Sequence, residues 1–357
     1  MTLLTKNKNK PMDIVLAFNG AIEGEECYGE RLEAEYVQLL SDTISSLGHH
    51  VECLEMSRPG DQIVEDLVAL RPDLVFNMAE GTGPTKRESY YPSIYEMLGL
   101  AYTGSRPFLL RVGMEKRLTE KIFAIRGVNV PRGAALTRKN NQIPSHLRYP
   151  VFVKPNAEGS SLGISRENIA EDPQQAKEIS SRLLEQYPDG VEVEEFIKGR
   201  EIQVAMLEGC SQKILEPVEY EVRIDEHNIM DRRVKGSTDP EHIVQTHCPV
   251  TLDDGQRQTV LQTATAAFQV MQTKDFGRID LRLDHDGKAY AIEINPLPGL
   301  RKKSPLVTAA NTTGLSYKQI IASIIHSASV RYGLNRSADE NTHENSNQNS
   351  SQKAERK

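Results

Sequence analysis

"GRIDLRLDHDGKAYAIEINPLPG" (residues 277–299) reads as two short strands joined by a tight turn, with its chemistry gathered on one side. Side chains alternate faces along a strand. Arg278, Asp280 and Arg282 therefore share one face, and Ile279, Leu281 and Leu283 take the other. On the returning strand Ala291, Glu293 and Asn295 share a face opposite Ile292 and Ile294. "DHDGK", with Asp286-Gly287, supplies the reversal. If the two polar faces coincide, Asp280, Glu293 and Asn295 converge as hard oxygen donors suited to Mg²⁺ shared with phosphates. Arg278 beside them suits a developing negative charge. An ordinary amphipathic hairpin with its wet side outward would alternate in the same way.

Two upstream segments favour the chemical reading. "YPVFVKPNAEGSSLGIS" (149–165) ends an apolar strand on Lys154 and enters a loop holding Gly159, Ser160, Ser161 and Gly163. Glycines allow close backbone approach to phosphate, the serines add donors, and the lysine adds positive charge. The spacing is not GxxxxGK[ST], so the P-loop mechanism does not apply, and a flexible connection between strands is the plainer alternative. "VEVEEFIKGREIQVAM" (191–206) sets Glu194 and Glu195 before Phe196 and Ile197, with Glu201 opening another strand. Alone it reads as an acidic strand edge.

A chain of 357 residues suggests two or three domains. The strand "MDIVLAF" (12–18), a helix carrying Leu32, Tyr36, Leu39, Leu40 and Ile44, and the strand "HVECLEM" (50–56) form a βαβ unit. A helix with Ile63, Leu67 and Leu70 leads into "PDLVFNM", and "SIYEMLGL" leads to "AYTGS". That alternation predicts a parallel sheet with ligands beyond its carboxyl ends. The expected organisation is a leader at 1–11, an N-terminal α/β domain at 12–105, a central lobe at 106–193, a C-terminal lobe at 194–334 and a disordered polar tail at 335–357.

The formal net charge of -7 excludes a general electrostatic footprint for nucleic acid. No apolar run approaches the ~20 residues of a bilayer span, and "MTLLTKNKNKPMD" is too short in apolar length for a secretion signal, so a cytoplasmic protein with no membrane partner is expected. Cys27, Cys53, Cys210 and Cys248 are scattered without metal-ligand spacing and are expected to be reduced.

Lys116, "KPNAEGSSLGIS" (154–165), "EEFIKGREI" (194–202) and "GRID" with "EINPLPGL" (293–300), together with "VFNMAEG" (75–81) and "YTGS" (102–105), resemble the D-alanine–D-alanine ligase family of the ATP-grasp superfamily over about residues 12 to 330. The resemblance implies an α/β chain with α+β grasp lobes: an N-terminal parallel-sheet βαβ domain and two lobes enclosing ATP. It implies that Lys116 and Lys154 contact ATP phosphates, and that the loop with Ser160 and Ser161 closes over them. Residues 194–197 would hold adenine through backbone groups of Glu195 and Ile197, beside Phe196, with Glu194 and Glu201 facing the nucleoside. Lys235 in "DRRVK" would reach the terminal phosphate. Asp280, Glu293 and Asn295 would bind two Mg²⁺ ions, while Arg278 and the amide of Gly299 would stabilise an oxyanion.

The chain departs from the family's usual pattern around the acceptor pocket. Glu80 stands where a histidine is usual. "GTGPTKRESYYP" (81–92) brings Lys86, Arg87, Glu88, Tyr90 and Tyr91 toward that pocket, and Gly236 follows the loop lysine where a tyrosine is frequent. Glu80, Lys86, Arg87, Tyr91 and Ser304 are the expected substrate residues. An ATP engine with an altered pocket resembles the branch that joins serine or threonine to mycosporine-glycine, whose enol oxygen is a vinylogous acid. The alternatives are a D-alanine–D-alanine ligase or another amino-acid ligase and, in a different class, a nucleotide-binding pseudoenzyme. Small-molecule partners and a homodimer are expected from the resemblance alone.

Overall fold

The structure, a computed structural model, describes residues 10–21, 31–81, 87–223, 227, 229, 231 and 243–334. Lys86, Lys235, Gly236, the expected tail and most of the expected leader lie outside the described residues.

Strand β1 (Asp13–Phe18) lies between β2 (His50–Glu55) and β3 (Leu74–Met78) in an all-parallel sheet. Ile14, Val15, Leu16 and Ala17 are all buried, as a central parallel strand with both faces covered requires. Helix α1 (Ala34–Ser46) covers one face with Tyr36, Val37, Leu40 and Ile44. α2 (Gly60–Leu70) and α3 (Tyr90–Met97) cover the other with Ile63, Leu67, Tyr91 and Tyr95. "AYTGS" reaches the sheet through an isolated parallel bridge, Tyr102 to Val75.

Two short helices, α4 (Pro107–Gly113) and α5 (Lys116–Ile125), follow. Then β4 (Gly133–Leu136), β5 (Val151–Pro155), β6 (Ile169–Ala170) and β7 (Val191–Glu195) form an antiparallel sheet in the order β4-β7-β5-β6. α6 (Pro173–Gln186) backs it with Ala176, Leu183 and Leu184, and starts at Asp172, whose carboxylate accepts the amides of Gln174 and Gln175.

The third sheet is antiparallel, in the order β10-β9-β8-β11-β12. Its strands are β8 (Gly199–Leu207), β9 (Val218–Val222), β10 (Val244–His247), β11 (Phe276–Asp284) and β12 (Ala289–Asn295). α7 (Asp254–Met271), opened by a capping box of Asp253 and Gln256, packs on it. α8 (Pro305–Thr312) and α9 (Tyr317–Tyr332) close the fold.

Two boundaries differ from the sequence reading. The division expected at 193/194 falls inside β7, which pairs along its whole length with β5, and the sheets part at 196–198. The segment from 106 also belongs elsewhere: Leu109, Val112 and Phe123 of α4 and α5 pack with Val204, Ile279 and Ile294 of the third sheet. Apolar spacing marks these helices but does not say which sheet will bury them.

Candidate active site

The β11–β12 register brings the polar faces together. Arg278 pairs with Asn295 and Asp280 with Glu293. Beyond them the register slips, because Leu281 pairs with Ala291 and leaves Ile292 as an extra residue. This bulge corrects the simple alternation. Ala291 joins Leu281, Leu283 and Ala289 in the core, Ile294 is buried, and Ile292 turns to line a cavity of about 880 Å³ between the second and third sheets. Bulges next to active sites re-aim side chains in this way.

Of the residues anticipated for ATP and metal, Lys116, Lys154, Ser161, Glu201, Asp280 and Glu293 line this cavity, as do Arg278 and residues 194–197. Arg278 grips Asp280 with two parallel hydrogen bonds, Nε to Oδ1 at 2.6 Å and an Nη to Oδ2 at 2.8 Å. Lys116 Nζ lies 3.1 Å from Glu293 Oε2 and donates to the Glu158 carbonyl at 2.5 Å. Burial alone would raise the Glu293 carboxyl, but Lys116, Lys154 and Arg278 outweigh it and hold the group down to about 2. Burial opposes the charge on Arg278, yet Asp280 and Glu293 keep it above its usual range. Tyr220, missed in the sequence, faces this pair and is pushed up to about 12, first by burial. Asn295 is partly buried and its Oδ1 accepts the Leu297 amide at 3.2 Å.

Lys154 is the centre of a second network that the sequence did not reveal. Its Nζ lies 2.7 Å from Glu194 Oε1, 3.7 Å from Glu192 and 3.9 Å from Glu120. Arg117 reaches Glu120 at 2.5 Å and Glu192 at 3.6 Å. Burial disfavours a charged Lys154, but the three carboxylates reverse that and raise it above the usual lysine range. The Glu194 carboxylate is therefore engaged by Lys154, where the resemblance had it facing the nucleoside. Oxygens of Glu120, Glu192 and Glu194 lie within 4.8 Å of one another. Two cations already sit among them, so they are an ion network and not a metal cage.

The loop after β5 holds Ser160 and Ser161 consecutively at φ of +51° and +60°, a left-handed conformation that non-glycine residues seldom adopt. Gly163 follows at φ +69°, where a Cβ would stand 2.5 Å from Pro155 Cγ. At the junction of the two sheets the Glu195 amide donates to the Arg132 carbonyl and the Phe196 amide to that of Pro150, while the Ile197 amide has no partner among the described residues. Arg282 stacks 5.0 Å from the Phe196 ring centroid and lies 3.8 Å from Glu201. The amide of Gly299 likewise makes no hydrogen bond among the described residues, and nothing within 4 Å would hinder a Cβ there, so packing does not demand glycine at this position.

The anticipated substrate residues are not gathered at the cavity. Glu80, Arg87 and Tyr91 belong to the N-terminal domain and do not line it. Arg87 is buried beneath Gly81, and the Tyr91 hydroxyl donates to the Met56 carbonyl at 2.5 Å and accepts from Asn19 at 3.2 Å. Ser304 stands at the N-cap of α8 between two cavity-lining residues, Lys303 and Pro305, and its buried hydroxyl has no hydrogen-bond partner among the described residues.

No helix among the described residues is long and apolar enough to cross a membrane. Residues 128–326 match the family model for the D-ala D-ala ligase C-terminus. The chain is 32% identical over 269 residues to the uncharacterized protein y4sG of Sinorhizobium fredii, covering 75% of this chain and 78% of that protein. It is 27% identical over 305 residues to a D-alanine–D-alanine ligase of Pseudomonas putida, covering 84% and 90%. In fold it is similar to the crystal structure of the Bacillus anthracis D-alanine–D-alanine ligase complexed with ATP, with a TM-score of 0.70, 19% identity, and 90% and 99% of the two chains covered. The VanG D-Ala:D-Ser ligase of Enterococcus faecalis gives a TM-score of 0.68 at 19% identity, covering 89% of this chain and 100% of that one. The chain belongs to the D-alanine–D-alanine ligase family, ATP-dependent ligases that form C–N bonds on an ATP-grasp fold.

Proposed function

We propose that this protein joins two amino acids at the expense of ATP. The observation that carries the reading is the convergence of Arg278, Asp280 and Glu293 with Lys116 and Lys154 around one cavity. A carboxylate oxygen of the first amino acid attacks the γ-phosphorus, the bond to the β-phosphate bridging oxygen breaks, and ADP leaves. The amine of the second attacks the acyl carbon. The carbon–oxygen bond to phosphate then breaks, so inorganic phosphate departs with the acid's oxygen and the amine's proton passes to it or to solvent. Lys116 and Lys154 would hold phosphate oxygens, the strained turn at Ser160 and Ser161 would cover them, and the free Ile197 amide would serve the base. Arg278 and the Gly299 amide would meet the oxyanion of the tetrahedral intermediate.

Mg²⁺ suits the donor set, because Asp280, Glu293 and Asn295 offer oxygens and Glu293 is held ionised. Two ions held there would screen the phosphates and align them for transfer. Lys235 lies outside the described residues, and its role stands on the resemblance alone. The relatives quoted are named for D-alanine and D-serine, which supports an amino-acid carboxylate as acid partner in place of the enol oxygen of mycosporine-glycine.

ADP release and product mass should be measured with Mg²⁺, ATP and a panel of D- and L-amino acids, and separately with mycosporine-glycine plus serine. The expected result is ADP formed in step with a joined pair of amino acids, and a kcat lowered ~10²-fold by Arg278→Ala with ATP still bound. Product only with mycosporine-glycine would restore the other acid partner. ADP without any joined product would reject the ligase.

A further inference from the structure

The chain leaves the wall of the cavity at Glu293 and returns to it at Lys302, and Gly299 lies on the stretch between. That stretch, "NPLPGLR" (295–301), is held in one shape. Pro296 and Pro298 fix their own φ and carry no N–H. Leu297 and Leu300 are buried in the core that the N-terminal sheet shares with the third sheet. Two of the remaining amides are tied by side chains: Leu297 donates to Asn295 Oδ1 at 3.2 Å, and Leu300 donates to the Tyr36 hydroxyl at 3.0 Å. Between these two anchors the Gly299 amide makes no hydrogen bond among the described residues.

The second anchor comes from the other end of the chain. Tyr36 is buried in the first turn of α1, 264 residues before Leu300. Its ring also carries Arg301, whose guanidinium lies 4.9 Å from the ring centroid and pairs with Glu33 at the N-cap of α1. Helix α1 therefore holds both residues that follow Gly299, one through its backbone amide and the other through its side chain. A peptide unit is planar, so the direction of one N–H is fixed by how firmly its neighbours in the chain are held. Aim matters here, because a displacement of about 1 Å at a reacting centre can cost ~10²-fold in rate.

We propose that Tyr36 is a positioning residue for the Gly299 amide, so that the N-terminal domain sets the donor that meets the oxyanion when the amine adds to the acyl phosphate. The inference rests on the ligase reading and assigns the residue to its second step alone. In that step the amine's lone pair forms the C–N bond and the carbonyl π electrons move onto oxygen, and their return expels phosphate with the acid's oxygen. The earlier transfer from ATP makes no such oxyanion on carbon. Loss of the Tyr36 hydroxyl should therefore slow amine addition and spare phosphoryl transfer.

Tyr36→Phe keeps the ring under Arg301 and removes only the acceptor of the Leu300 amide. Rapid-quench single turnovers with ATP, Mg²⁺ and an amino-acid pair that the parent joins give two rates, ADP formation and product formation, at an amine concentration low enough that addition is the slower step. Product formation is expected to fall about 10-fold in the variant, with ADP formation and the KM for ATP within about 2-fold of the parent. More than one ADP per joined product should also appear, because the acyl phosphate is hydrolysed while it waits. Glu33→Gln loosens Arg301 at the surface without touching a buried group; it should show the same pattern at smaller size, and it decides the matter if Tyr36→Phe melts below the assay temperature. Equal slowing of both steps marks a general structural role and overturns the proposal, as does product formation at the parental rate. If the parent joins no pair of amino acids, the ligase reading itself fails and this inference falls with it.

Discussion

Glu120 and Glu192 are fully buried carboxyl groups that, with Glu194, place three acids around only two cations, Lys154 and Arg117. Three acids facing two cations in a dry pocket leave one negative charge unmatched, and burial raises both the Glu120 and the Glu192 carboxyl, so one proton shared within this network is expected. Burial first, then the Glu192 and Glu194 charges, push Glu120 from 4.5 up to about 12. The folded protein thus keeps a proton that the unfolded chain releases above 4.5, and this group's contribution to stability declines as pH rises from there toward about 12. Glu120→Gln keeps the neutral shape and removes the titration. Its unfolding free energy should fall less with pH than the parent's, the gap widening by at most about 1.4 kcal/mol per pH unit. Urea unfolding at about pH 6, 7.5 and 9 decides it, and parallel profiles for the two proteins would refute the shared proton. Little of this network was legible beforehand. Glu192 and Glu194 alternate with Val191 and Val193, which puts both on one face of β7, but Glu120 and Arg117 on α5 read as ordinary solvated helix charges until the fold lays α5 against that strand.

At the scale of the element, the hairpin's alternation correctly paired Arg278, Asp280, Glu293 and Asn295 on one face, because both strands keep a strict two-residue period up to that point. The bulge was not legible. Ile292 and Ile294 are chemically identical, and no glycine marks the extra residue, so only pairing with β11 shows that one faces the cavity and the other the core. The two isoleucines should therefore respond differently to truncation. Ile294→Ala is expected to lose about 2–5 kcal/mol of unfolding free energy, as buried isoleucines do. Ile292→Ala should lose under about 1 kcal/mol while raising the KM for ATP several-fold, because it removes a wall of the cavity. Equal destabilisation by both changes, measured by denaturant unfolding, would mean that the register carries no bulge. The Gly/Ser loop was legible in composition but not in conformation: the left-handed backbone at Ser160 and Ser161 goes against what those residues prefer on their own, and surrounding structure has to impose it.

Across the whole molecule, the N-terminal sheet does not stand apart from the grasping lobes. Ile14, Leu16 and Phe76 share one core with Ile320, Ile321 and Ile324 of α9 and with Ala205, Leu207 and Phe276 of the third sheet. Asp275 fastens the same junction. Its carboxylate accepts from the Gly104 amide and from Ser327, both at 2.7 Å, and from Arg331 at 2.6 Å, while its own amide donates to Glu208. The sequence announced each sheet through its apolar runs, yet it could not show this sharing, because helical spacing in α4, α5 and α9 fixes an apolar face without naming the surface that covers it. The outcome is a shared core that ties the N-terminal sheet to the third sheet, whose β11 and β12 form one wall of the cavity. Attack of a carboxylate oxygen on the γ-phosphate in this cavity can be followed by isotope transfer. With an acid substrate labelled with ¹⁸O in its carboxylate, inorganic phosphate should carry one labelled oxygen for each ADP and each joined product formed. Unlabelled phosphate, or label recovered in AMP, would contradict it.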